Sequence, residues 1–138
     1  GLRVVGVDIS ATGLRLAKQY HPEIDWVLSD MSHTCFPDQT FDVILNFYYL
    51  QRELFSKYQA WLKPGGVLFF ETLMINMLEI KPDTPAEYLL APGELKEAFK
   101  DWEILVYFEG WAPSRRGHLR AIASMIARKP AGKLSQSG

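Results

Sequence analysis

A chain of 138 residues is long enough for one domain with a real core. Hydrophobic residues make up 48% and charged residues 22%, and the formal net charge is −1, which excludes a global field for nucleic acid or anionic lipid. A single cysteine excludes an internal disulfide, the three histidines are too scattered for a metal-ligand motif, and no apolar run nears the ~18 residues of a membrane span.

The chain opens on "LRVVGVDIS", in which Val4-Val5-Gly6-Val7 reads as a strand ending at Asp8. Ser10 is an N-cap candidate for a helix with Ala11, Leu14 and Ala17 on one face. Trp26-Val27-Leu28 reads as a second strand, followed by "SDMSHTCFPDQTFD", a loop with little helical periodicity. Cys35 lies in that polar loop and reads as a bystander thiol, with a reducing, cytoplasmic setting as the preference. Val43-Ile44-Leu45 is a third strand. Leu50, Leu54, Tyr58, Trp61 and Leu62 form the apolar stripe of a helix that stops at Lys63-Pro64-Gly65-Gly66. Val67 to Phe70 is a fourth strand. Short continuous apolar runs are the pattern of strands covered on both faces, and strand alternating with helix predicts a doubly wound, mostly parallel α/β sheet.

The last third changes character. Pro82, Pro85 and Pro92 mark a loop-rich stretch, and Glu94 to Lys100 reads as a short helix with Leu95, Ala98 and Phe99 inward. "WEILVYFEGW" and "LRAIASMIARK" read as two β segments joined by a short polar link, hence an antiparallel pair. Arg115 and Arg116, in that link, read as a solvated loop. The domain is placed at residues 1–130, with 131–138 a disordered tail.

Asp8, Asp30, Asn46 and Glu71 each stand at or just after the end of an apolar strand. If the strands are parallel, all four share the carboxyl edge, where open α/β sheets bind ligands. A carboxylate there can accept from both hydroxyls of a ribose, the role assigned to Asp8, while Asp30 can accept from an exocyclic amine. Caps and turns are the competing reading, because Asp and Asn favour such positions anyway.

The ordered pieces "VVGVDIS", "DWVLSDM", "CFPDQTFDVILNFYYL" and "WLKPGGVLFFET" resemble a class I S-adenosylmethionine-dependent methyltransferase. "YLLAPGELKEAFKDWEILVYFEG" and "AIASMIARK" are similar to the end of its small tellurite-resistance-type branch. The resemblance implies a Rossmann-like fold, S-adenosyl-L-methionine as cofactor, and methyl transfer to a small-molecule nucleophile. It implies cofactor contacts at Asp8 (ribose), Ile9 (adenine face), Asp30 and Met31 (adenine rim), and Asn46 and Phe47 (methionine end). It brings Tyr48, Tyr49, Arg52 and Glu71 toward a substrate, although Tyr48, Tyr49 and Glu71 read equally well as structural residues. It names no catalytic residue and no metal; aligning a nucleophile with an activated methyl needs no obligatory acid–base pair.

The family's first strand, first helix and glycine-rich turn have no counterpart here: Gly1, Gly6 and Gly13 lack the strand–turn–helix setting such a turn needs. The expectation is a truncated domain carrying the adenosine half of a cofactor site and binding the cofactor poorly. Two other readings stand beside it: a non-catalytic methyltransferase-like module, and a nicotinamide-dependent oxidoreductase fragment, which would not be expected to carry "PDQTFDVI" and "LKPGG" at these spacings.

Overall fold

The computed structural model describes residues 2–132. The chain divides into two compact units, Gly1–Phe36 and Pro37–Gly138. The end of the expected disordered tail, residues 133–138, lies outside the described residues.

In the first unit, β1 (Val5–Asp8) and β2 (Asp25–Leu28) pair in parallel, Val5 opposite Asp25 and Asp8 opposite Leu28. The helix α1 (Ala11–Tyr20) joins them, and Ser10 caps it by accepting from the Gly13 N–H at 3.0 Å. Gly6 faces Trp26 across the ladder; a Cβ there would lie 2.2 Å from the ring carbon Cζ3, so only glycine lets the indole lie on the strand. The ring is held by its own N–H, which donates to the His21 carbonyl at 3.0 Å.

In the second unit, β3 (Phe41–Phe47), β4 (Leu62–Leu73), β5 (Glu103–Pro113) and β6 (Leu119–Arg128) form one sheet in the order β3-β4-β6-β5. The β3–β4 ladder is parallel; β4–β6 and β6–β5 are antiparallel. The expected C-terminal antiparallel pair is therefore present, but the sheet is mixed rather than mostly parallel, because β6 also returns antiparallel along β4. The helix α2 (Leu54–Trp61) buries Leu54, Tyr58 and Trp61, and the single-turn α3 (Glu94–Ala98) buries Leu95. Phe55 lies edge-on to Phe70 and Phe99, at 5.7 and 5.6 Å between ring centres, and Phe99 meets Trp102 at 5.0 Å. Two 3-10 turns, Ile75–Glu79 and Ala86–Tyr88, fill the proline-rich stretch.

Two expectations change. The helix predicted from Leu50 begins at Leu54, because residues 51–53 form a turn closed by the Leu54 N–H on the Gln51 carbonyl at 2.9 Å. The two-sided cover expected of the strands fails on β3, where Val43, Leu45 and Phe47 are exposed on one face. Alternation there is complete in space although every residue from Val43 to Leu45 is apolar, so an unbroken apolar run did not report two covered faces.

Candidate functional site

In the first unit the parallel register places Asp8 and Asp30 on the same edge, beyond the carboxyl ends of β1 and β2. The Ser29 N–H donates to the Asp8 carbonyl at 3.0 Å, so the loop carrying Asp30 leaves the ladder directly beside Asp8. Asp8 Oδ1 accepts from the Ser10 N–H at 3.0 Å, which points the carboxylate at the start of α1. A Cβ on Gly13 would come within 3.1 Å of Asp8 Oδ2, so the glycine keeps that oxygen open. Oδ2 makes no hydrogen bond among the described residues. Ile9, next in sequence, is 68% exposed.

Asp30 is organised by its own loop. Oδ1 accepts from the Ser32 N–H at 2.8 Å, and the Asp30 carbonyl accepts from the buried Thr34 hydroxyl at 2.9 Å and the His33 N–H at 2.9 Å. The Ser32 backbone N–H, with the Ser32 hydroxyl next, holds the exposed Asp30 carboxyl below the usual carboxylate range. This is the turn-cap geometry that competed with a ligand role, with Oδ2 4.0 Å from His33 Nδ1. Met31 is half-buried in the same loop.

In the second unit Asn46 and Glu71 lie toward the carboxyl ends of the parallel strands β3 and β4, with Phe47 opposite Glu71. The Asn46 amide is buried and turned inward: Oδ1 accepts from the Tyr58 hydroxyl at 2.6 Å and Nδ2 donates to the Tyr49 carbonyl at 2.7 Å. It ties the end of β3 to α2, and burial pushes the Tyr58 phenol far up. Phe47 is exposed, and the Tyr49 hydroxyl donates to Gln51 Oε1 at 2.6 Å. Arg52 is exposed but fully engaged. Its guanidinium forks onto Glu94, with Nη2–Oε1 at 3.0 Å, and donates to the Glu87 and Leu89 carbonyls, each at 2.9 Å. All of these donors hold the proline-rich stretch to α3, which leaves Arg52 shaped as a clamp.

Tyr48 and Glu71 are different. Tyr48 has φ +55, in the left-handed region, and its N–H donates to the Glu71 carbonyl at 2.7 Å. Non-glycine residues held there cost about 1–3 kcal/mol and cluster at functional sites. The Tyr48 hydroxyl donates to Glu71 Oε2, and the Arg120 guanidinium lies over the tyrosine ring, Cζ 4.6 Å from its centre. Burial first, then the Glu71 carboxylate, raises the Tyr48 phenol above its ordinary value. Tyr48, Glu71 and Arg120 line an open depression of about 440 Å³ together with Ser114, Arg115 and Arg116 from the β5–β6 turn. Sequence reasoning missed these arginines. The available signal was Arg120 itself, a charge at the start of an otherwise small and apolar strand.

Residues 1–66 match the family model of a methyltransferase domain. In sequence the chain is similar to a malonyl-[acyl-carrier protein] O-methyltransferase of Yersinia pestis, at 30% identity over 84 residues, covering 57% of this chain and 32% of that protein. In structure it is similar to TehB from Haemophilus influenzae, at 22% identity and TM-score 0.75, over 94% of this chain and 50% of that one. It is also similar to a SAM-dependent methyltransferase from Methanosarcina mazei, at 18% identity and TM-score 0.72, over 94% and 83%. The fold is methyltransferase-like α/β. The chain spans about a third of the length of the curated relatives it matches.

Proposed function

We propose that residues 1–130 form part of one methyltransferase domain, acting in S-adenosylmethionine-dependent methyl transfer to a small-molecule nucleophile, and that Asp8 and Asp30 hold the adenosine half of the cofactor. One observation carries this reading: two exposed carboxylates stand on the carboxyl edge of the parallel β1–β2 pair, tied to each other by the Ser29–Asp8 bond. The residues fit the group. Asp8 keeps Oδ2 open over Gly13 for a pair of hydroxyls, Ile9 offers exposed apolar surface to a base, and the Asp30 carboxylate is exposed. When bound, the cofactor supplies a methyl group already activated on sulfonium. The work left to the protein is to orient the acceptor and exclude water.

The test is a titration of the ¹⁵N-labelled chain with S-adenosylhomocysteine, followed residue by residue by NMR, which reads weak binding as well as tight. The expected outcome is saturable shifts at Asp8, Ile9, Asp30 and Met31. Asp8→Ala should weaken binding roughly ten- to a hundredfold, the worth of a charge-assisted hydrogen bond of ~1.5–3 kcal/mol. Asp30→Ala should do less, because one of its oxygens already serves the turn. No response at these residues, or an unchanged affinity in Asp8→Ala, overturns the cofactor assignment and leaves a non-catalytic module.

A further inference from the structure

The depression in the second unit holds three arginines against one carboxylate. Arg52 and Arg128 are paired with Glu94 and Glu103, whereas Arg115, Arg116 and Arg120 make no ion pair among the described residues. The one carboxylate, Glu71, already accepts from Tyr48. Arg120 is the most telling of the three. Its guanidinium is fixed against the Tyr48 ring, and its Nε–H is enclosed without an acceptor. A buried donor without a partner is rare in folded proteins and calls for an explanation. The supports are strands rather than loops: Tyr48 follows β3, Glu71 is on β4 and Arg120 on β6, each set by ladder register. Arg115 and Arg116 hang over this platform from a tight turn, in which the Ser114 N–H donates to the His118 carbonyl at 2.8 Å and Gly117 takes φ +82. By themselves those two would be an ordinary solvated turn. Their convergence with an arginine stacked on Tyr48 and held in no ion pair is what makes a site.

We propose that this depression binds a small anionic molecule through a carboxylate or phosphate group, with Arg120 as the fixed anchor and Arg115 and Arg116 closing on it from the turn. The site lies wholly within the second unit and stands apart from the function proposed above. Planar guanidinium forks match both groups, and three cations with one engaged carboxylate leave the depression positive in a chain whose net charge is −1.

The test follows the Arg120 Nε–H resonance while the chain is titrated at constant ionic strength with benzoate, phenyl phosphate and neutral benzamide. The expected result is a saturable response to one or both anions and none to benzamide; the tighter anion names the group recognised. Arg120→Gln should weaken anion binding about tenfold or more. The double variant Arg115→Gln/Arg116→Gln alters only an exposed turn, so it keeps the test readable if Arg120→Gln does not fold, and it should weaken binding severalfold. An equal response to benzamide, shifts that never saturate, or unchanged anion binding in the double variant overturns the site. S-adenosylhomocysteine is titrated separately. Anion binding without cofactor binding retains the anion site and rejects the methyl-transfer reading; cofactor binding without anion binding does the reverse.

Discussion

The two units of this chain place candidate residues in opposite circumstances. Among the described residues, every buried apolar side chain comes at Leu54 or later, and within residues 2–36 only Thr34 is buried. The first unit therefore presents Asp8, Ile9 and Asp30 to solvent, oriented by local backbone bonds and almost nothing else. The second presents Asn46 and Arg52 on a real core, and there Asn46 is drawn into the fold while Arg52 is engaged at its surface by long-range bonds. Exposure leaves a carboxylate available, while packing either turns a polar group inward or, at Tyr48, Glu71 and Arg120, fixes it in place with bonding capacity left over. Units under ~40 residues without staples bury too little to be strongly stable, so the first unit belongs at the low end of local stability.

The sharpest test of that contrast is a pair of truncations. Phe70 is 1% exposed and sits edge-on to Phe55 and Tyr58. Phe70→Ala should cost about 3–5 kcal/mol in urea unfolding. Leu28→Ala, at a side chain 58% exposed on β2, should stay within about 0.5 kcal/mol. Comparable losses from both would mean that residues 2–36 contribute to the core after all.

A middling effect is expected at Gly6. The Cβ of Gly6→Ala would meet a tryptophan ring that cannot swing away without giving up its bond to the His21 carbonyl. Overpacking of this kind costs about 1–3 kcal/mol. Hydrogen exchange should show the loss within residues 2–36 and leave β4 and β6 protected. Loss of protection throughout would show that the two units unfold together.

Much of this was legible locally. Ser10 followed by Ala11, Leu14 and Ala17 announced α1, and two β segments with a short link announced the β5–β6 hairpin. Asp8 at the end of β1 was legible for the same reason: a strand end is a local feature. What was not legible depends on partners far along the chain. Lys63-Pro64-Gly65-Gly66 reads as a helix stop, yet it lies within the span of β4, where the Gly65 N–H donates to the Lys129 carbonyl at 3.0 Å. The pairing of Arg52 depends on Glu94, and the inward turn of Asn46 on Tyr58. The role of Arg120 depends on a register that brings β6 against β4 and its guanidinium over Tyr48. Periodicity carries no information about such meetings.

The smallest effect separates two carboxyls that are both held below their ordinary values. In Glu94 the main cause is the Arg52 fork, a bond between segments distant in sequence; in Asp30 it is the N–H of Ser32, two residues away. A group with a depressed value in the folded state adds stability that is complete above its unfolded value, near 4.5 for Glu94, and lost as pH falls through the lower folded one. Glu94→Gln should therefore lower the urea midpoint at neutral pH, by at most about 1 kcal/mol because the pair is partly exposed. The gap between Glu94→Gln and the parent chain should close in acid, as pH falls through the lowered folded value of Glu94. Asp30→Asn should leave the midpoint of global unfolding unmoved at either pH, since its bonds lie within one exposed turn that can open by itself. A gap for Glu94→Gln that persists in acid would mean that the glutamine is poorly packed rather than that the ion pair is lost. A pH-dependent gap for Asp30→Asn would mean that the turn after β2 is held as firmly as the clamp on α3, and the two units would then differ in burial but not in stability.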